Sequence, residues 1–98
     1  MAEHTVYVGS KPPLQYVLAV VTEFSSGTDS VTIKARGRAI STACDVAEIV
    51  RSRHIKDACY RKVDISTELV EGDRGRRSKV TSIAIILEKP ASSGGAGQ

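Results

Sequence analysis

A short segment in which every second residue is apolar lies between two longer segments of helical periodicity. Residues 31–36 alternate between apolar and polar or charged side chains, as a strand with one buried face does. Apolar residues recur every three or four positions in residues 14–24 before it and 40–50 after it. Because 98 residues allow a single domain, we expect both helices to pack against the sheet that contains this strand.

The first helical segment has start and stop signals at its ends. Pro12 and Pro13 suit the first turn of a helix, where a missing N–H costs nothing, and Ser10 is expected to cap it. Gly27 is the expected end. The side chains that form the apolar stripe are Leu14, Val17, Leu18, Val21 and Phe24. We therefore predict a helix over residues 12–26.

The second helical segment, predicted over residues 39–53, has a wide apolar arc and only a narrow polar stripe. An arc this wide predicts contact with both the sheet and a second copy of the chain. We therefore predict a homodimer formed by this helix and the last two strands. The side chains expected at the dimer interface are Val46, Ile49, Val50, Ile83 and Ile85.

Two more strands are predicted after the second helix. Residues 59–70 and residues 80–88 are β-rich, and the connection EGDRGRRSK is longer than a tight hairpin needs. The predicted order is β-α-β-α-β-β, an α/β two-layer fold with a mixed sheet, two helices on one face and a long basic β-hairpin arm. Residues 1–90 form the predicted domain, and residues 91–98, ASSGGAGQ, a predicted disordered tail.

The positive charge of the chain is concentrated in a few places. The formal net charge is only +3, yet Lys11 and the runs 34–38 and 74–79 hold eight of the 14 lysines and arginines. Neither run contains an acidic residue. Charge clustered in this way is typical of a surface that binds a polyanion.

The segment KARGRAIS, residues 34–41, spans the junction between the second strand and the second helix. Three interpretations are open: a solvated turn around Gly37, the phosphate-binding loop of an enzyme, or a nucleic-acid contact. Cations at the start of a helix oppose its dipole, and they become favourable when an anion binds there. This consideration, together with the second basic run at 74–79, favours nucleic acid.

Signatures of the common nucleotide and metal enzymes are missing from the sequence. It has no G-x-x-x-x-G-K-[ST], G-x-G-x-x-G or H-E-x-x-H motif, and His4, His54, Cys44 and Cys59 lack metal-ligand spacing. We therefore predict no enzyme, no metal and no cofactor. The start MAEHTVYV has no secretory pattern, and no apolar run reaches the roughly 18 residues of a membrane span. An intracellular protein with reduced cysteines and no membrane contact is expected.

Three segments resemble the Alba family of small archaeal chromatin proteins: YVGSKPPLQYVLAVV, VTIKARGRAISTACDVAEIVRSR and GRRSKVTSIAIILEK. The resemblance covers nearly all of residues 5–89. It implies the β-α-β-α-β-β fold related to the C-terminal domain of translation initiation factor three. It also implies a homodimer that binds DNA with little sequence preference, and RNA as well. In that arrangement the paired basic loops lie over the duplex and two hairpin arms reach toward the minor grooves.

The resemblance and the charge clusters together predict nine nucleic-acid-binding positions. They are Lys11, Lys34, Arg36, Gly37, Arg38, Arg74, Arg76, Arg77 and Lys79. Lys11 matches the lysine whose acetylation weakens binding in the family, which implies acetylating and deacetylating enzymes as partners. The chain departs from the family pattern at Ser10, where many relatives have a second cation, and at Gln15, where asparagine is frequent. His54 stands where relatives often carry an aromatic used between dimers.

The predicted function is that of a dimeric, largely sequence-independent double-stranded DNA-binding chromatin protein. It would package and compact DNA through phosphate contacts. Its expected location is the chromosome, in the cytoplasm. Because His54 replaces the aromatic, the sequence leaves open whether dimers assemble with one another on DNA. One alternative is an RNA-binding protein acting in RNA processing, RNA stability or translation. Another is a protein–protein adaptor with an incidental basic face. The basic runs have no interleaved aromatics, which argues against base stacking on single strands.

Overall fold

The computed structural model describes residues 4–90 of the chain, so the predicted tail lies outside the described residues. Its helices and strands are β1 Thr5–Tyr7, α1 Pro13–Ser25, β2 Ser30–Arg36, α2 Ala39–Ile49, β3 Cys59–Glu71 and β4 Arg77–Glu88. A π-helical segment, Val50–His54, extends α2, and a 3-10 turn, Asp73–Gly75, joins β3 to β4. The predicted order β-α-β-α-β-β is confirmed. No helix within residues 4–90 is long and apolar enough to cross a membrane.

The four strands form one mixed sheet in the order β1-β2-β4-β3. β1 runs parallel to β2, and α1 makes the crossover that a parallel pair requires. β4 lies in the middle and pairs antiparallel with both β2 and β3. The β3–β4 hairpin extends past β2, because β2 pairing ends at Ser82 whereas β3 pairing continues to Arg77. The molecule is therefore elongated, with a longest dimension of 57 Å.

The core lies between the helices and one face of the sheet. Alternate residues of β2 and β4 form the floor of this core: Val31, Ile33, Ala35, Ile83, Ile85 and Leu87. α1 contributes Val17, Val20 and Phe24, and α2 contributes Ala43 and Ala47. The period of two predicted for residues 31–36 is confirmed, and both helices pack on the same face of the sheet.

The apolar stripe of α1 differs from the prediction in two side chains. Leu14 and Leu18 are 62% and 55% exposed, whereas Val17 and Val20 are fully buried. At about 3.6 residues per turn, the two leucines lie roughly a quarter and a third of a turn from the buried line, and α1 faces the core along that line only. The predicted cap is also wrong, because Pro12 occupies the N-cap position and no side chain caps the helix.

Four of the five side chains predicted at the dimer interface lie instead in the core of the single chain. Val46 and Val50 are fully buried, and Ile83 and Ile85 are buried in the sheet beneath the helices. The apolar arc of α2 is wide because the sheet covers one side of the helix and α1 packs on another. These four side chains therefore have no surface to offer a partner, and only Ile49 lies at the margin of the core.

A polar cluster ties β3 to the end of α2. The Tyr60 hydroxyl donates a hydrogen bond to the Glu48 carboxylate, and Arg51 Nη1 donates to the same carboxylate at 3.1 Å. The Arg51 guanidinium lies 4.8 Å from the centroid of the Tyr60 ring. The hydrogen bond from Tyr60, helped by the Arg51 charge, holds the pKa of Glu48 below its ordinary value. Burial, with the same hydrogen bond, raises the pKa of Tyr60 to about 12.

The Tyr60–Glu48 contact should make stability depend on pH on the acid side. Since the folded-state pKa of Glu48 is below the ordinary 4.5, the contact stabilises the protein above that pH and is lost as pH falls through the folded-state pKa. We expect Tyr60→Phe to lower the thermal midpoint at neutral pH. On acidification, the midpoint of this variant should fall less than that of wild type, because the contact is already missing. Circular dichroism melts from about pH 7 to pH 3 measure this, with Tyr7→Phe as the control. Parallel pH profiles for wild type and Tyr60→Phe would contradict it.

Candidate nucleic-acid interface

A groove lined by three cations lies where both helices begin. The β1–α1 loop and the β2–α2 turn form its walls, and its volume is about 300 Å³. The residues that line it are Gly9, Ser10, Lys11, Arg36, Arg38, Ala39 and Thr42. The groove therefore brings together one cation from the first loop and two from the KARGRAIS segment. No acidic side chain is among its lining residues.

Tyr16 holds the β1–α1 loop against the first turns of α1. Its hydroxyl accepts hydrogen bonds from the N–H groups of Gly9 and Lys11, each at 3.0 Å. Pairing with β2 continues past the end of β1, because the Val8 N–H donates to the Lys34 carbonyl at 2.8 Å. These contacts position Lys11 beside the β2–α2 turn. The sequence has no signal for this role of Tyr16, since a polar ring tip on an amphipathic helix is ordinary.

Gly37 shapes the β2–α2 turn through its backbone. Its φ of 57° lies in the left-handed region, which costs an L side chain about 1–2 kcal/mol. Its N–H donates to the Thr81 carbonyl at 2.9 Å, and its carbonyl accepts from the Ile40 N–H at 3.1 Å. The turn is thus tied to β4 at the base of the hairpin. Gly37 was predicted as a nucleic-acid contact, and here it positions Arg36 and Arg38 on either side of it.

Both helices begin without an acidic residue in the first turn and without a side-chain cap. The N–H groups that open α2 carry partial positive charge, which adds to the charge of Arg38 at the N-cap position. α1 contributes less, because Pro12 and Pro13 have no N–H to offer. A helix start of this kind, with cations beside it, is an arrangement that binds phosphate oxygens.

The three cations of the groove are barely neutralised by other side chains of residues 4–90. Arg36 Nη1 lies 3.5 Å from Glu68 Oε1, and both side chains are about half exposed. An ion pair so exposed contributes little and is screened by salt, so the Arg36 guanidinium remains available to another anion. Lys11 and Arg38 form no ion pair with any residue in 4–90.

The other predicted contacts lie away from this groove. Lys34 projects from the face of the sheet opposite to the helices, and its Cα pairs with that of Tyr7. The remaining four cations lie on the hairpin: Arg74, Arg76, Arg77 and Lys79. Arg74 sits in the turn with a φ of 60°, and Arg77 shares a shallow depression with Glu71 and Leu69. Within one chain, the hairpin cations do not line the groove.

Side chains that could hold a metal are scattered over the described part of the chain. No group of three or more histidine, cysteine, aspartate or glutamate residues comes together within residues 4–90. Cys44 and Cys59 are both exposed free thiols, and they lie on α2 and at the start of β3. His4 contacts Glu23 instead, with its Nδ1 at 2.6 Å from Oε1. The groove itself offers cations and backbone N–H groups, which are groups that bind anions.

The chain is similar to several known proteins. The model of the Alba family matches residues 4–67. The DNA/RNA-binding protein Alba 1 of Archaeoglobus fulgidus is 54% identical over 89 residues, which cover 91% of this chain and 99% of that protein. The DNA/RNA-binding protein Alba of Thermoplasma acidophilum is 48% identical over 87 residues, covering 89% and 97%. The solved structure of Alba from Thermoplasma volcanium superimposes with a TM-score of 0.83 at 48% identity, covering 88% and 100%.

These relatives agree with two predictions from the sequence. The superposition matches the four-stranded mixed sheet with two helices. The relatives are named as DNA/RNA-binding proteins and not as enzymes, in line with the prediction that this chain is not an enzyme. The family model matches more than half of the chain, and the relatives are matched over nearly their whole length. The chain therefore belongs to the Alba family.

Proposed function

We propose that the protein binds double-stranded DNA as a homodimer, through phosphate contacts and with little sequence preference. In this role it packages DNA on the chromosome, in the cytoplasm. The observation that carries the proposal is the groove in which Lys11, Arg36 and Arg38 meet at the uncapped start of α2. The names of the relatives, DNA/RNA-binding protein Alba, support nucleic acid as the anion.

The lining of the groove favours a polyanion over a single nucleotide. It offers three cations and two hydroxyls but no aromatic or large apolar side chain on which a base would rest. It also has no asparagine or glutamine, the side chains that read adenine in the major groove. Contacts of this kind neutralise phosphates, release counterions and carry no sequence information.

An uncovered apolar face on β3 supports the dimer. Val63, Ile65 and Leu69 lie on the helix side of the sheet, since Val63 pairs with Ile85 and Ile65 with Ile83. The helices leave these three side chains uncovered, and they are 47%, 69% and 65% exposed. A contiguous exposed apolar face of this kind marks an interaction site. A second copy of the chain would cover this face. The dimer interface would then still lie on the last two strands, as predicted, but side chains of β3 would form it.

A dimer would also double the number of phosphates that the protein could neutralise. A twofold interface presents each basic element twice, so the assembly carries two grooves and two hairpins. The hairpins hold the cations that do not line the groove within one chain. With some contacts left unformed, about 6–8 phosphates would be neutralised, which gives a slope of log K against log salt near −5 to −7.

Ile65→Asp should convert the dimer into monomers, because it places a charge in the apolar face that the partner would cover. We expect a mass near the 10.5 kDa of one chain and much weaker DNA binding. Light scattering after size exclusion at micromolar concentration measures the mass. Ser66→Asp, which puts the same charge on the next residue and the opposite face, is the control and should stay dimeric. A monomeric mass for the unmodified protein would refute the dimer.

Arg38→Ala should flatten the salt dependence of DNA binding. It removes about two phosphate contacts per dimer, so the slope should change by roughly 2 and affinity should fall alike for every DNA sequence. Folding should be unharmed, because a charge that opposes the dipole of α2 is gone. Arg61→Ala is the matched control, since Arg61 lies by Glu88, roughly 20 Å along the sheet from Arg36. An unchanged slope in folded, dimeric Arg38→Ala would remove Arg38 from the interface.

Lys11→Gln should mimic acetylation and weaken DNA binding, because it removes a charge that Ser10 cannot replace. The slope should again flatten by roughly 2 units, while Lys11→Arg, which keeps the charge, should bind as wild type does. Anisotropy titrations of labelled duplex at several salt concentrations measure both. Equal affinities of wild type and Lys11→Gln in low salt would exclude Lys11 from the site. They would also exclude acetylation of Lys11 as a way to regulate DNA binding.

RNA is a second candidate ligand, because the relatives are named for both nucleic acids. The cationic groove contacts phosphates, which DNA and RNA share, and its lining has no feature that distinguishes the two sugars. Crosslinking in cells, followed by sequencing of both the DNA and the RNA recovered, decides between chromatin packaging and a role in RNA processing or translation. Recovery of RNA alone would overturn the chromatin role.

A further inference from the structure

The face of the sheet opposite to the helices carries a second groove of about 470 Å³. Small side chains, Ser66, Ser82 and Ala84, form its floor, and so a ligand can approach the sheet closely. Tyr7 and Lys34 line one side of it. Unlike the cationic groove at the helix starts, this one combines an aromatic ring, cations and carboxylates.

Tyr7 and Lys34 form a platform at the β1 edge of this face. Their Cα atoms are paired in the parallel register of β1 and β2, and Tyr7 is 71% exposed. Lys34 makes no ion pair within residues 4–90. An exposed aromatic ring beside an available cation is the pair of groups with which proteins hold an unpaired nucleotide, the ring stacking on the base and the cation contacting the phosphate.

Carboxylates line the β3 side of the groove. Asp64 and Glu68 lie there, about 14 Å from β1 across three strand spacings. Each takes part only in an exposed ion pair, Asp64 with Lys62 and Glu68 with Arg36, both at 3.5 Å. Carboxylates repel a phosphate backbone but accept hydrogen bonds from the exocyclic amino group of cytosine. The groove thus fits a base with its own phosphate better than it fits the side of a duplex.

Arg36 connects the two grooves, because it lines both of them. Arg36 and Lys34 are two residues apart on one face of β2, which separates their Cα atoms by about 7 Å. A strand that leaves a duplex with one phosphate at Arg36 therefore meets Lys34 next and reaches Tyr7 beside it.

We propose that the open face of the sheet binds an unpaired, cytosine-containing extension of a nucleic-acid strand. Tyr7 stacks on a base, Lys34 contacts its phosphate, and Asp64 accepts from the amino group of a cytosine. The adjoining duplex lies in the groove of Lys11, Arg36 and Arg38, so this part of the inference rests on the proposed function. The aromatic residues lie apart from the basic runs along the chain, and it is the β1–β2 pairing that brings Tyr7 to Lys34.

The test compares three DNA probes by fluorescence anisotropy: a blunt duplex, the same duplex with a four-cytosine overhang, and a single strand of eight cytosines. Wild type should bind the overhang duplex more tightly than the blunt one. Tyr7→Ala should lose about 5- to 150-fold in affinity for the overhang duplex and the single strand, with blunt-duplex affinity unchanged. Tyr7→Phe, which keeps the ring, should behave as wild type. Circular dichroism checks that each variant is folded.

A charge-matched pair of variants tests the phosphate contact. Lys34→Ala should weaken binding of the overhang duplex and flatten its salt slope by about one unit per occupied site. Arg61→Ala removes the same charge from β3, where Arg61 pairs with Glu88 outside the groove lining, and should change neither. Equal losses for Lys34→Ala and Arg61→Ala would reduce the effect to net charge and overturn the assignment of Lys34.

The outcomes separate this inference from the proposed function. Tight blunt-duplex binding with no gain from the overhang, or equal losses of Tyr7→Ala on both duplexes, overturns the open-face site and leaves the duplex groove standing. No binding of blunt duplex, with binding of the single strand that depends on Tyr7, overturns the proposed function and leaves the open-face site standing. Replacing the cytosines of the overhang by thymines should weaken binding, and equal affinity would overturn the role of Asp64.

Discussion

Two helices cover one face of the four-stranded sheet over β1, β2 and β4, but leave most of β3 uncovered. The exposed surfaces of the molecule result from this incomplete cover. The apolar residues of β2 and β4 are buried beneath α1 and α2, whereas those of β3 remain exposed on the same side. No helix within residues 4–90 covers the opposite face of the sheet, and most of the side chains that line its groove are charged or carry hydroxyls. One incomplete layer therefore leaves an exposed apolar strip, on which the proposed dimer would form, and an open face, on which the proposed single-strand site lies.

The positive charge at the start of α2 opposes the stability of that helix and favours an anion beside it. Arg38 stands at the N-cap position, where an acidic or hydroxyl side chain would stabilise the helix. The fold tolerates this because α2 is held by its buried face, and because Gly37 ties the turn to the Thr81 carbonyl of β4. The polar contact of Tyr60 with Glu48 holds the other end. The helix is thus anchored at both ends, which leaves its first turn available to an anion.

Much of the fold could be predicted from patterns along the chain, and the site only in part. The element order, the two helices and the strand Ser30–Arg36 follow from periodicity and from Gly and Pro signals. The side chains predicted to face a partner were mostly wrong, because periodicity shows only that Val46 is apolar. It does not show whether a sheet, a helix or another chain covers this residue. The concentration of cations was visible in the sequence, whereas the division into a groove, a hairpin and an open face was not.

By itself, the sequence determined which segments form helices and strands, where the positive charge is concentrated, and that the chain resembles the Alba family. Those properties are local, set by residue type and spacing over a few turns. Only the tertiary structure decided which distant residues come together. Lys11, on a loop held by the Tyr16 hydroxyl, lines one groove with Arg38, and the parallel register pairs Tyr7 with Lys34. It alone decided which apolar residues stay exposed. Pairing register and helix placement join residues far apart in the chain, and no short-range pattern encodes them.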